Sequence, residues 1–196
     1  MSDAVLVAFL TGVFGPVIVL IVKYFIDKKK DPFVSAVNES NIVCDELDRL
    51  LLNYSADRIW IAQFHNGGVY YPTGKSIQKF SIFFEVTKNV KDSIKMTFQN
   101  IPVNLFSKFL GKIMTDDFIS IPDYKDETVA THGLQYVAEE HGSKSSYLFS
   151  IRTMDDRLIG IMAVEYTSKK KQLTEKETVD LRLEATKIGG VLANKK

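Results

Sequence analysis

Ser145-Ser-Tyr-Leu-Phe-Ser-Ile-Arg-Thr-Met-Asp-Asp-Arg-Leu-Ile-Gly-Ile-Met-Ala-Val-Glu-Tyr166 is the stretch that decides the fold class. Residues 146–152 and 158–167 are rich in β-branched and aromatic side chains, the residues that suit a pleated, half-buried surface. The polar Thr153-Met-Asp-Asp-Arg157 between them is a tight hairpin connection. Two adjacent antiparallel strands are therefore expected, and they need further strands and a covering layer to be stable.

Working outward, the chain supplies both. Downstream, Thr174 and Glu177 have the spacing of a capping box, and a helix is expected from there to about residue 193. Its apolar stripe is Leu181, Ala185, Ile188 and Leu192. Upstream, residues 58–64 read as a strand, and 65–74 (His-Asn-Gly-Gly-Val-Tyr-Tyr-Pro-Thr-Gly) as a loop dense in turn residues. A second strand spans 77–87, where Phe80, Ile82, Phe84 and Val86 alternate with polar residues. Residues 103–114 read as a helix, 117–121 as a strand, and 128–140 as a helix stopped by Gly142. The order predicts an α+β domain with an antiparallel sheet of five or six strands flanked by helices.

At the other end, Ala4 to Val22 runs 19 residues without a charge before Lys23 and the cluster Lys28, Lys29 and Lys30. With Lys23 snorkelling, the stretch to Ile26 has the length of a transmembrane helix. Asp3 before it and lysines after it are the reverse of a cleaved signal peptide. An uncleaved single-pass anchor in the inner (cytoplasmic) membrane is expected, with the N-terminus outside and the domain in the cytoplasm. Ala4, Ala8 and Gly12 are spaced for close helix approach. Asp31-Pro32 then opens a stalk helix with a heptad seam of Phe33, Val37, Ser40, Cys44, Leu47, Leu51 and Tyr54. The expected organisation is anchor and basic flank (1–30), stalk helix (31–56) and domain with closing helix (57–196). Phe33, Val37, Cys44, Leu47 and Leu51 of the stalk, with Leu181, Ile188 and Leu192 of the closing helix, are candidates for a homodimer interface.

The strand from Ser145, the turn at Asp155-Asp-Arg, the strand Leu158-Ile-Gly-Ile-Met-Ala-Val-Glu-Tyr and the helix opened by Leu173-Thr-Glu-Lys-Glu resemble the C-terminal half of a GAF domain. The resemblance covers about residues 35–193 and is specific over roughly the last 50. It implies a small-molecule-binding or dimerisation module of the sensory type, with any ligand between the sheet and the helices on one face.

Composition narrows the chemistry. With 25 Lys and Arg against 24 Asp and Glu, no charge excess recruits nucleic acid. Cys44, the single cysteine, forms no internal disulfide and cannot support the dithiol chemistry of some GAF-like reductases. Phosphate-loop, dinucleotide, nucleophile-elbow and zinc-protease motifs are missing. His65, His132 and His141 match no ligand spacing, so no metal and no cofactor are expected. His65 and Asn66, with Tyr70 and Tyr71 beyond them, are candidate ligand contacts because loops over sheets commonly bind. Phe84 and Tyr147 complete that set. The expected function is a non-catalytic, membrane-anchored module that binds a small molecule or a protein partner. Two alternatives stand beside it. One is a structural scaffold or adaptor, such as a phage can encode, whose pocket is filled by its own Phe and Tyr side chains; the other is a hydrolase using His65 with an Asp.

Overall fold

The computed structural model describes residues 12, 14–28, 31–70 and 72–193. The chain divides into two units, Met1–Ser40 and Asn41–Lys196. In the first, helix α1 (Gly15–Lys28) exposes Val17, Ile18, Val19, Leu20, Ile21 and Val22. At 1.5 Å per residue its 14 residues reach about 21 Å. Among the described residues no helix is long and apolar enough to cross a membrane. Ala4, Ala8 and most of the upstream apolar run lie outside them.

Helix α2 (Pro32–Asn53) carries Phe33 and Val37 on the surface of the first unit. From Asn41 onward it belongs to the second unit, so the domain takes in half of the expected stalk. There it buries Leu47 and Leu51 of the expected seam together with Val43 and Leu50 beside it, while Cys44 is only half-buried.

The second unit is built on β1 (Arg58–Val69), β2 (Ser76–Thr87), β3 (Ile101–Pro102), β4 (Phe118–Ile121), β5 (Ser145–Arg152) and β6 (Leu158–Tyr166). They form one sheet in the order β3-β2-β1-β6-β5-β4, antiparallel throughout. Because successive side chains point to opposite faces, each strand feeds two cores. Ile59, Ile61, Tyr147, Phe149, Met162 and Val164 meet α2 and the closing helix α5 (Glu175–Ala193), whose Leu181, Ala185 and Ile188 are buried there. Ala62, Phe80, Ile82, Leu148, Ile161 and Ala163 meet α3 (Ser107–Asp116), α4 (Gln135–Glu140) and the loops beside them.

Two expectations are corrected. The glycine-rich run 65–69 is strand, because Gly68 at φ 91° absorbs a bulge and lets β1 keep pairing with β2 as far as Val69. The helix expected over 128–140 forms only from Gln135. Asp126 holds the N–H and hydroxyl of Thr128 in a turn, and His132 and Gly133 take positive φ. The capping box at α5 is formed: the N–H of Thr174 donates to Glu177 at 2.7 Å, and the N–H of Glu177 to Thr174 Oγ1 at 3.2 Å. The Thr174 N–H holds the Glu177 carboxyl below the usual range. Stability from this lowered pKa is present above the unfolded value near 4.5 and is lost as pH falls through the folded one. Thr174→Ala keeps that N–H but loses the Oγ1 bonds to Glu177, one of them donated to its carboxylate at 3.0 Å. It should cost about 1 kcal/mol at pH 7 in urea unfolding, with only the share from that donated bond fading as the carboxylate is protonated.

Candidate functional site

The hairpin of β1 and β2 positions His65 opposite Lys79. His65 Nε2 lies 2.9 Å from Ser81 Oγ, and the same oxygen accepts the Asn100 N–H at 2.8 Å. On its other side the ring places Nδ1 3.4 Å from the Asn66 carbonyl oxygen. This Ser–His pair lacks the orienting carboxylate of a hydrolase among the described residues. Ser81 is 2% exposed. What the pair does is tie β1 through β2 to the residue that leads into β3.

Of the six candidate ligand contacts, the five described ones are divided between the hairpin and the core under α2 and α5. His65 is half-buried, Asn66 and Tyr70 are exposed at the hairpin end, and Tyr71 lies outside the described residues. Phe84 and Tyr147 belong to the core under α2 and α5. The Tyr147 hydroxyl donates to the Lys171 carbonyl at 2.7 Å and accepts the Leu173 N–H at 3.2 Å, fixing the approach to α5. Leu47, Leu51, Leu181 and Ile188, candidates for the dimer interface, are spent in that same core; Leu192 packs against it. No group of three or more potential metal ligands occurs among the described residues.

Between the sheet and α3, α4 and the 94–106 segment lies a cavity of about 40 Å³. Its walls include Trp60, Phe80, Ile82, Phe106, Phe109 and Leu134. Phe80 and Phe106 meet edge to face, their centroids 5.5 Å apart. The alternation of Phe80 and Ile82 was visible in the sequence, but not the face they take.

A second constellation closes one end of the sheet. Arg58 and Glu165 face each other across β1 and β6. Arg58 Nε donates to the Glu165 carboxylate at 2.7 Å, Nη2 donates to Ser143 Oγ at 2.9 Å, and Nη1 donates to the Asp92 carbonyl. Ser146 Oγ donates to the other Glu165 oxygen at 3.1 Å. Next to it, Asp57 accepts the N–H groups of Thr167 and Ser168 and the Ser168 hydroxyl. Burial works to raise the Asp57 pKa, but these donors and Lys88 hold it below the usual carboxylate value. Nothing in the spacing of Arg58, Ser143 and Glu165 announces this cluster before the strands are paired.

No family model and no curated protein matches this chain. Solved structures do. A GAF domain from Synechocystis sp. PCC6803 in its photoproduct state matches with a TM-score of 0.61 at 14% identity, over 79% of this chain and 92% of that one. The blue-light-absorbing form of the Thermosynechococcus elongatus PixJ GAF domain gives 0.61 at 12% identity, over 79% and 84%. The GAF domain region of a Geobacter sulfurreducens PCA protein gives 0.60 at 13%, over 82% and 96%. Likeness at this identity establishes architecture alone. The chain has a GAF-like fold, with α2 and α5 on one face of a six-stranded antiparallel sheet and α3 and α4 on the other.

Proposed function

We propose that this chain is a membrane-tethered, non-catalytic GAF-type binding module whose interior pocket is filled by its own side chains. The carrying observation is the cavity of about 40 Å³ between sheet and helices. Organic ligands of ordinary size need roughly 300 Å³ or more, with a few polar groups to orient them. A far-red cyanobacteriochrome photoreceptor and a domain with bound biliverdin share the fold; a ligand of that size does not fit the cavity between sheet and helices. Recognition then falls to the surface. Self-association is assigned to the exposed Phe33 and Val37, since the deeper seam residues serve the core. The tether is assigned to the apolar run that ends in α1.

Native mass spectrometry of the full-length chain, extracted in detergent and washed at high salt, is expected to show bare polypeptide and its multimers. Stoichiometric retention of an organic molecule of a few hundred daltons would overturn the filled pocket. Before extraction, an untagged chain is expected to stay with membranes through an alkaline wash, and release into the aqueous phase would remove the tether.

A further inference from the structure

The end of the sheet that holds the Arg58–Glu165 pair also carries a groove of about 640 Å³. Three loops surround it: residues 123–125 after β4, 142–144 after α4, and 168–170 after β6. These segments place four ammonium groups, Lys125, Lys144, Lys169 and Lys170, around one concavity, against three carboxylates: Asp123, Glu139 of α4, and Asp126, which lies beside Asp123 and Lys170 and is bound to Thr128.

The charges do not cancel. Lys170 pairs with Asp123. Glu139 accepts from the uncharged Gln135 side chain at 3.1 Å. Lys144 Nζ donates to the Ser168 carbonyl at 2.5 Å, which fixes its position without neutralising it. Lys125 and Lys169 form no ion pair among the described residues. A concave surface lined by a surplus of one sign concentrates the opposite sign from solution.

A neutral donor sits in the wall as well. Ser143 is 7% exposed, and its oxygen accepts the Arg58 guanidinium N–H, so its own hydroxyl proton remains to be donated. The guanidinium is in turn locked by Glu165, which keeps the serine in one orientation. Ammonium groups and an oriented hydroxyl suit an anion with several oxygens around one centre, and the groove's volume suits a small organic molecule carrying it.

We infer that this groove binds a small phosphate-bearing anion, gripped by Lys125, Lys144 and Lys169 with Ser143 in the wall. The inference is independent of the filled interior pocket. It also has a route to the rest of the domain. Segment 168–170 is anchored at one end by Asp57 and leads, through the Lys171 N–H bonded to Ser145 Oγ at 3.0 Å, into α5. An anion that favours one setting of this segment therefore favours one setting of the closing helix.

The test is calorimetric titration of the full-length chain, in a non-ionic detergent, with inorganic pyrophosphate. Binding is expected, weakening as salt rises. It should fall at least about tenfold in Lys125→Gln/Lys169→Gln, whose two side chains are exposed and form no hydrogen bond or ion pair among the described residues, since a charge-assisted bond is worth about that factor. Lys108→Gln/Lys176→Gln, which removes the same charge elsewhere, should leave affinity unchanged. No binding at millimolar pyrophosphate, or equal weakening in both double variants, would overturn the inference. Detergent-solubilised phosphatidic acid added as competitor identifies the source. Displacement of pyrophosphate assigns the site to lipid headgroups and lack of it to a soluble phosphate, each consistent with the proposed chemistry.

Discussion

Arg58→Ala is expected to destabilise the domain by about 3–5 kcal/mol, the cost of leaving one partner of a buried ion pair alone. Arg58 is 1% exposed, with its guanidinium divided among Glu165, Ser143 and the Asp92 carbonyl. Removing it leaves the Glu165 carboxylate in the interior with one hydroxyl donor, Ser146. It also frees the 90–92 turn and Ser143 from the sheet. Glu165→Gln should cost less than Arg58→Ala, because the amide still accepts one N–H while losing its charge. The decisive variant is Arg58→Met/Glu165→Leu, which should recover most of the loss, since a buried pair exchanged whole for apolar side chains is often neutral. Trp60, the single tryptophan, lies two residues along β1 and reports unfolding in urea. A single-variant loss under about 1 kcal/mol, or no recovery in the double variant, would show that the pair is not an isolated buried unit.

The Arg58–Glu165 pair also shows where reading the chain as text reaches its limit. Strand-forming composition, with period-two alternation in β2, located five of the six strands within a few residues, because burial on both faces leaves a dense apolar signal in β5 and β6. β3, two residues long, carries no such signal. The Thr174 and Glu177 spacing was legible since a cap is a local arrangement, complete within one turn. Gly160, the glycine of the resemblance to GAF domains, has its reason in pairing: a Cβ there would stand 2.4 Å from the Ala62 carbonyl oxygen on β1. Alternation does not say which face is which, so it could not tell that Phe84 and Tyr147 pack in the core under α2 and α5. The turn-rich reading of residues 65–69 failed for a related reason. Glycines that suit a loop also suit a bulged strand, and only the partner strand decides. The groove's lysines come from three segments more than 15 residues apart along the chain, or joined only through the sheet, and no local spacing marks them.

Phe80→Ala tests the filled pocket directly and should cost about 3–5 kcal/mol, the usual range for losing a buried aromatic ring. Phe80 is 7% exposed on β2, packed in one cluster with Ala62, Ile82 and Ile94 and edge-on to Phe106. Its ring is part of the wall of the cavity of about 40 Å³, so its removal merges the ring's volume with space already present. Sheet strands on one side and the 94–106 segment on the other, which carries Ile94, Phe98 and Phe106, enclose the ring, and the cost rises with how little these walls can collapse. The enlarged space is lined by apolar side chains and should stay dry, as cavities of that kind take up small apolar molecules in preference to water. Benzene is therefore expected to raise the unfolding temperature of Phe80→Ala in a concentration-dependent way and to leave the wild-type chain unmoved, following the stabilisation of a folded state by a ligand that binds it alone. Equal stabilisation of the wild type would mean that the space between sheet and helices opens to ligands without any substitution, and the reading of this domain as a module with a closed interior would fail. A loss below about 1 kcal/mol with no response to benzene would mean instead that the ring covers the surface and that the cavity is closed by other residues.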